Sequence, residues 1–323
     1  MKLSFEEIRS ITVGAIDVRK TEAGVEFFKC TDAQIAAWYK WNKDLGYRAE
    51  TTTGVRLDFY TNSKTFAFKT ISGIKFELLI DGMLTQRFTL GEGESYIEKR
   101  IELSDSLGHQ KDRIRVTLAF PSHTVGRLEY VELDDGAYFE RPEYKHKLLF
   151  IGDSITQGHN SKFDTLSYAW RVTSYFDAES VINGIGGAFF DPATFDNINF
   201  DPDAVIIAYG TNDARRFSYA EMQEKTRGFL ALVKQAYSDR KVIVISPIWR
   251  ADNNGNVMGE DFENKRAMVE REALALGFDV VSGLKLVPAV SDFFADTYLH
   301  PNDLGFGLYA QNLIKEISGI INR

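Results

Sequence analysis

The chain has 323 residues with 44% hydrophobic and 26% charged side chains, a composition typical of a soluble protein of about two domains. Its 38 basic and 46 acidic residues give a formal net charge of -8. This charge argues against a nucleic-acid partner, because proteins that bind polyanions need clustered Lys and Arg. A single cysteine, Cys30, excludes an intrachain disulfide and a thiolate metal cluster.

The N-terminal segment carries Glu6 and Glu7 where a signal peptide needs an uninterrupted apolar stretch, and no apolar run approaches about 18 residues. We therefore expect a cytoplasmic protein without a membrane partner, and secretion of a longer precursor stays open. The oligomeric state, a homo-oligomer included, also stays open.

Residues 1–145 show the period-two alternation of apolar and polar side chains that is typical of β-strands. From this alternation, strands are predicted at 55–60, 65–69, 74–80, 87–90, 114–118 and 128–133. Asp81-Gly82 tolerates the positive φ of a two-residue hairpin turn. Short strands separated by turn signals predict an antiparallel, jelly-roll-like β-sandwich over 1–145, which we interpret as an accessory or substrate-side domain.

The pattern changes after 141–146, a charged segment with a proline that we interpret as a linker. From there on, continuous apolar strands alternate with segments of helical spacing. The strands are predicted at 148–151, 203–209, 241–245 and 278–281, and the helices at 219–239, 263–276 and 304–320. This alternation predicts a parallel sheet with helices on both faces, so 146–323 forms a second, α/β domain.

Small and polar residues follow the predicted strands at their carboxyl ends, where open α/β sheets bind their ligands. They are Ser154 after the first strand, the glycine loop 183–187, the segment 210–213 and the segment 296–303. All four map to the same edge of the predicted sheet, so we expect their side chains to lie close together.

These segments contain the groups that an activated serine needs. Ser154 is the candidate nucleophile and His300 the candidate base, because an imidazole with a pKa of about 6.5 accepts a proton at neutral pH. The backbone N–H groups of Ser154 and Gly187 and the side chain of Asn212 are candidate oxyanion donors. Each segment alone would also fit a turn or a helix cap, so the hypothesis depends on their occurrence together.

The same segments resemble sequence blocks of the SGNH (GDSL) hydrolases. The first, second, third and fifth blocks are similar, in order, to Gly152-Asp153-Ser154, Gly187, Gly210-Thr211-Asn212-Asp213 and His300-Pro301-Asn302-Asp303. The resemblance covers about 147–323 and implies a three-layer, flavodoxin-like α/β/α fold. It also implies ester hydrolysis through an acyl-serine intermediate without a metal or organic cofactor. By the family pattern Ser154 is the nucleophile, Ser154 N–H, Gly187 and Asn212 form the oxyanion hole, and His300 is the base.

The acid of this pattern is displaced. The family usually places it three residues before the histidine, where this chain has Thr297, and Asp296 lies one residue earlier. Either the loop bulges so that Asp296 still reaches the imidazole, or a backbone carbonyl orients His300 and the enzyme works as a dyad. Asp292 is a weaker third candidate. We favour Asp296, because a carboxylate both fixes the histidine tautomer and stabilises the imidazolium.

A β-sandwich in front of such a domain resembles two-domain carbohydrate esterases that remove acetyl groups. Trp249 and Arg250 follow the strand at 241–245 and are candidates for sugar binding, with rim packing and a surface cation as equal alternatives. We therefore predict a serine esterase that acts on a small-molecule or oligosaccharide ester, in particular an O-acetylated carbohydrate. A lipase, thioesterase or arylesterase on the same site, or a catalytically weak carbohydrate-binding protein, remain the alternatives.

Overall fold

The computed structural model describes residues 1–105, 107–251 and 261–322. The chain divides into two compact units. The first unit contains Met1–Cys30 and Glu50–Tyr144, and the second contains Thr31–Ala49 and the chain from Lys145 onward. The predicted division near 145 therefore differs by one segment, Thr31–Ala49, which belongs to the second unit and is called the helical insertion below.

The first unit begins with a short helix, α1 (Phe5–Ser10), and otherwise consists of β-strands in its described part. The strands are β1 (Thr12–Val13), β2 (Asp17–Lys20), β3 (Val25–Phe28), β4 (Arg56–Thr61), β5 (Thr65–Ser72), β6 (Lys75–Ile80), β7 (Met83–Thr89), β8 (Glu98–Glu102), β9 (Ile114–Ala119), β10 (Arg127–Leu133) and β11 (Phe139–Glu140). One antiparallel sheet has the order β1-β4-β9-β6-β7 with β11 paired to β4, and the other has the order β2-β3-β10-β5-β8.

The two sheets of the first unit share one apolar core. Phe59 of β4 and Phe66 of β5 lie on different sheets with ring centroids 5.9 Å apart, and the rings of Phe68 and Phe76 lie 6.0 Å apart. Asp81 and Gly82 both have positive φ, 49° and 80°, as the predicted hairpin turn requires. The predicted antiparallel β-sandwich is confirmed.

The second unit is an α/β structure. Its elements are α2 (Asp32–Trp41), α3 (Lys43–Glu50), β12 (His146–Gly152), α4 (Ser154–Gln157), α5 (Tyr168–Tyr175), β13 (Ala178–Gly184), β14 (Ala204–Ala208), α6 (Asp213–Arg216), α7 (Tyr219–Ala236), β15 (Lys241–Ile245), α8 (Phe262–Ala275), β16 (Asp279–Val281) and α9 (Asp303–Ile321). The strands are parallel in the order β13-β12-β14-β15-β16. This is the flavodoxin-like order. Its switch point lies between β12 and β14, because β13 is added on one side of β12 and the later strands on the other.

Both faces of the parallel sheet are covered by helices. On one face, Leu148 and Phe150 of β12 join a core with α5 and α9, in which the rings of Tyr168 and Tyr309 stack at 4.1 Å. Leu149 points to the opposite face, since neighbouring strand residues alternate, and it is also buried. The α7 and α8 helices pack against each other, and α8 contacts β15 and β16. The predicted parallel sheet with helices on both faces is confirmed.

The helical insertion packs onto the loop that follows β13. Trp38 and Trp41 of α2 lie edge-to-face on Phe189, with centroids 5.4 and 4.8 Å away. The Trp41 ring N–H donates to Asp191 Oδ2 at 2.6 Å, and the Thr31 hydroxyl donates to Asp196 Oδ2 at 2.6 Å. The insertion therefore contributes directly to the α/β unit, although it precedes the rest of that unit by about a hundred residues in the chain.

Among the described residues, none of the helices combines the length with the apolar character that crossing a membrane requires.

Candidate active site

Ser154 lies directly after β12, at the switch point of the parallel sheet. Asp153 caps the following short helix, because its Oδ1 accepts the backbone N–H of Ile155 at 2.9 Å. This cap turns the chain sharply and leaves the Ser154 side chain 9% exposed at the carboxyl edge of the sheet. The Ser154 Oγ is 2.8 Å from Nε2 of His300.

Asp296 completes a hydrogen-bonded line with these two residues. Its Oδ2 is 2.6 Å from His300 Nδ1. Its Oδ1 accepts the backbone N–H groups of Tyr298, Leu299 and His300 at 3.1, 2.8 and 3.0 Å. Thr297 has a φ of 67°, in the left-handed region, which turns the chain between the acid and the base. The structure thus has the bulged loop that brings Asp296, four residues before the histidine, to the imidazole.

The charges on this line follow from its surroundings. Burial lowers the pKa of His300 below its ordinary value, and the hydrogen bond that its ring donates to Asp296 opposes that shift without cancelling it. Burial alone would raise the pKa of Asp296, but the Leu299 N–H, the His300 ring and further backbone N–H groups hold it below its ordinary value. At neutral pH, Asp296 is therefore a carboxylate and His300 is neutral. Its Nδ1–H then donates to Asp296, and its Nε2 is left to accept the serine proton.

The glycine loop after β13 contains a tight turn. The Ala188 N–H donates to the Ile185 carbonyl at 2.9 Å, and Gly187, the third residue of the turn, has a φ of 84°. Asn212 follows β14 and lies beside this loop, since its Nδ2 donates to the Ala188 carbonyl at 2.9 Å. The same Nδ2 is 3.5 Å from Asp153 Oδ2, which is a weak contact. Asn212 thus connects the glycine loop to the residue before Ser154.

Two buried carboxyl groups underlie this arrangement. Burial raises the pKa of Asp153 and of Asp213 to about 7, and the charge of Asp213 adds to the rise at Asp153. Asp213 Oδ1 accepts the backbone N–H of Phe190 at 2.8 Å, so it holds the backbone that follows the glycine loop. Sequence reasoning quoted both residues only as parts of motifs and gave them no role.

The two candidates for sugar binding have structural contacts. Arg250 is 6% exposed, and its Nη1 donates to the carbonyl and the hydroxyl of Thr211 at 3.0 and 3.2 Å. It therefore holds the loop that carries Asn212. Trp249 is half-buried, and its ring lies 5.1 Å from the ring of Phe294. Contact of either residue with a sugar stays a prediction.

Two further side chains lie at the site. The exposed ring of His159 meets the ring of His300 edge-to-face at 4.6 Å, consistent with a position at the rim of the site. Arg48 of α3 donates from Nη1 to the Gly186 carbonyl at 2.9 Å. Sequence reasoning missed Arg48, because nothing in its local pattern points to a loop 138 residues away.

A Ser–His–Asp line at the carboxyl edge of a flavodoxin-like sheet is an arrangement of serine hydrolases. Residues 150–308 match the model of the GDSL-like Lipase/Acylhydrolase family. These residues therefore form a GDSL-like domain, as the sequence blocks predict. No curated protein sequence is similar enough to count as a match.

Several solved structures share the two-domain fold at low sequence identity. A salicylyl-acyltransferase from a tetracycline biosynthetic pathway, SsfX3, has a TM-score of 0.85 at 16% identity, over 99% of this chain and 97% of that one. A putative GDSL-like lipase from Bacteroides ovatus has a TM-score of 0.78 at 17% identity, over 100% and 98%. An acetyl xylan esterase from Butyrivibrio proteoclasticus, Est2A, has a TM-score of 0.68 at 14% identity, over 100% and 99%.

Proposed function

We propose that this protein is a serine esterase that hydrolyses acetyl and similar short-chain esters, with an O-acetylated carbohydrate as its substrate. The observation that carries the proposal is the hydrogen-bonded line from Ser154 through His300 to Asp296. It occurs within a GDSL-like domain, a family of lipases and acylhydrolases. The carbohydrate part of the proposal is supported by the shared fold with an acetyl xylan esterase.

In the first half of the reaction, Ser154 Oγ attacks the ester carbonyl while His300 Nε2 takes the hydroxyl proton. Asp296 holds the imidazole in the required tautomer and stabilises its charged form. The negative charge on the carbonyl oxygen is stabilised by the N–H groups of Ser154 and Gly187 and by the Asn212 side chain. His300 then gives its proton to the leaving alcohol, and the acyl group stays on Ser154 as an ester.

In the second half, His300 takes a proton from water, and the resulting hydroxide equivalent attacks the acyl-serine carbonyl. Collapse of the tetrahedral intermediate breaks the bond to Ser154 Oγ, which recovers its proton from His300. One ester and one water yield one acid and one alcohol. We assign the first unit as an accessory domain and keep Trp249 as a candidate contact for the sugar.

Acyl transfer is a second candidate, because the SsfX3 fold extends over 99% of this chain. In that case an alcohol, and not water, accepts the acyl group from Ser154. Hydrolysis in the presence of increasing concentrations of a sugar alcohol distinguishes the two, since a transferase forms the new ester and a hydrolase forms free acetate.

The test of the esterase is steady-state hydrolysis of p-nitrophenyl acetate and p-nitrophenyl octanoate by the wild type and by Ser154→Ala. We expect a preference for acetate and a loss of kcat on the order of 10⁴-fold or more in Ser154→Ala. Ser238→Ala changes an exposed serine two residues after α7; it is the matched control and should behave as wild type. Unchanged turnover in Ser154→Ala would refute the proposal, and a preference for octanoate would favour a lipase.

A further inference from the structure

We propose that Arg48, supplied by the helical insertion, is a positioning residue of the oxyanion hole. Through its hydrogen bond to the Gly186 carbonyl, it holds the peptide between Gly186 and Gly187 in the orientation that presents the Gly187 N–H to the reacting carbonyl oxygen. The inference rests on the proposed function, because that N–H is needed only if Ser154 attacks an ester carbonyl.

The turn that contains Gly187 can exist in two forms. The bond from Ala188 N–H to Ile185 O and the φ of 84° at Gly187 are features of a type II turn. A type I turn has the same hydrogen bond between its first and fourth residues, but its third residue has a φ of about -90°. The peptide between the second and third residues is then rotated by about 180° relative to the type II turn. Because both central residues are glycines, the local sequence does not exclude either form. The direction of the Gly187 N–H therefore depends on contacts from outside the turn.

Arg48 provides such a contact. A peptide group is planar and trans, so the Gly186 carbonyl and the Gly187 N–H point in opposite directions. With Arg48 Nη1 bound to that carbonyl at 2.9 Å, the N–H is directed away from Arg48. Turning the peptide over would break this bond and point the N–H at a guanidinium group, which offers donors and no acceptor.

The neighbouring contacts leave the central peptide as the adjustable part of the loop. The N–H of Gly186 donates to Gln157 Oε1 at 2.8 Å. This bond holds the preceding peptide against α4, the helix that begins with Ser154. A Cβ on Gly187 would lie 3.2 Å from Arg48 Nη1 and 3.4 Å from Leu45 Cδ2. One side of Gly187 is therefore covered by the insertion. Leu45 is buried, which fixes α3 and hence the origin of the Arg48 side chain.

The first test compares kcat and KM for p-nitrophenyl acetate in the wild type, Arg48→Met and Arg48→Lys. We expect Arg48→Met to lose about 10- to 10²-fold in kcat with little change in KM, because the Gly187 N–H is misplaced in part of the molecules but not removed.

Arg48→Lys keeps a side-chain donor for the Gly186 carbonyl and should retain more activity. Millimolar guanidinium should restore part of kcat in Arg48→Ala but not in Asn212→Ala. Lys43→Met removes an exposed cation from the same helix and should behave as wild type. An unchanged kcat in Arg48→Met, or a loss confined to KM, would overturn the inference.

The second test does not depend on turnover. We expect ¹⁵N relaxation dispersion at the Gly187 amide of Arg48→Met, as the peptide exchanges between two orientations, and a flat profile in the wild type and in Lys43→Met. If the wild type hydrolyses no ester, the proposed function fails, and this measurement still decides whether Arg48 orients the peptide. A flat profile at Gly187 in Arg48→Met would show that other contacts are sufficient to hold it and would overturn the inference.

Discussion

At the scale of single residues, one backbone conformation decides how the histidine is oriented. Asp296 lies four residues before His300, and the φ of 67° at Thr297 lets the chain turn so that the carboxylate still reaches the imidazole. A side chain at positive φ is unfavourable unless other contacts hold it there. Here Asp296 Oδ1 compensates by accepting three backbone N–H groups of the same loop.

The role of Asp296 can be tested by the pH dependence of kcat/KM. Burial lowers the pKa of His300, and Asp296 partly offsets this by raising it. Asp296→Asn removes the offset, so the pKa of His300 should fall further. The acidic limb of the profile should then move to lower pH, while kcat falls by roughly 10³- to 10⁴-fold. Asp292→Asn is the matched control, because Asp292 contributes its backbone carbonyl, which accepts from Asn302 Nδ2. Wild-type rates in Asp296→Asn would favour the dyad.

At the scale of secondary-structure elements, the helical insertion is the part of the fold that sequence reasoning missed. The strand alternation of its surroundings led to the prediction of a β domain over the whole of 1–145. A local signal was present, because Thr31 and Gln34 form a capping box: each side chain accepts the backbone N–H of the other residue, at 3.1 Å. A helix of 10 residues is too short to be stable by itself even after a good cap, and docking on Phe189 stabilises it.

The start of α2 can be tested with a matched pair of substitutions at Thr31. Thr31→Val keeps the shape of the side chain but removes both the cap to Gln34 and the hydrogen bond to Asp196, so the free energy of opening α2 should fall by about 1–2 kcal/mol. Thr31→Ser keeps the hydroxyl and should change the free energy of opening α2 by at most a few tenths of a kcal/mol. Amide hydrogen exchange over Asp32–Trp41 measures this directly. Equal protection in the two variants would mean that aromatic packing alone holds the helix.

At the scale of the whole molecule, the second unit is discontinuous in sequence. The chain builds part of the first unit, contributes Thr31–Ala49 to the second, completes the first, and then forms the parallel sheet. Cutting the chain near 145 therefore does not separate the two units, because Thr31–Ala49 packs with the second unit. The practical consequence is that a fragment cut at this boundary lacks one of its own elements.

We predict that the fragment 145–323 is less stable than the same fragment with residues 31–49 joined to its N-terminus through a flexible linker. Without the insertion, Phe189 loses its contacts with Trp38 and Trp41, a loss of about 2–3 kcal/mol for a side chain that is fully buried here. For a unit of this size that corresponds to a Tm lower by about 5–10 °C. Calorimetry and p-nitrophenyl acetate hydrolysis of the two fragments measure the effect. Equal Tm values and rates would show that the insertion is dispensable for this unit.

The sequence by itself determined the class of both domains, most of the strands, the helices α7, α8 and α9, the GDSL-like segment and the edge of the parallel sheet at which Ser154 and His300 lie. These features depend on the periodicity of neighbouring residues and on short motifs, which are local properties of the chain. The tertiary structure alone decided the other features: that Asp296 reaches His300, that Arg250 binds Thr211 in the interior, and that Arg48 reaches the glycine loop. Each of these depends on a backbone turn or a docking contact whose energy exists only once distant segments are packed together.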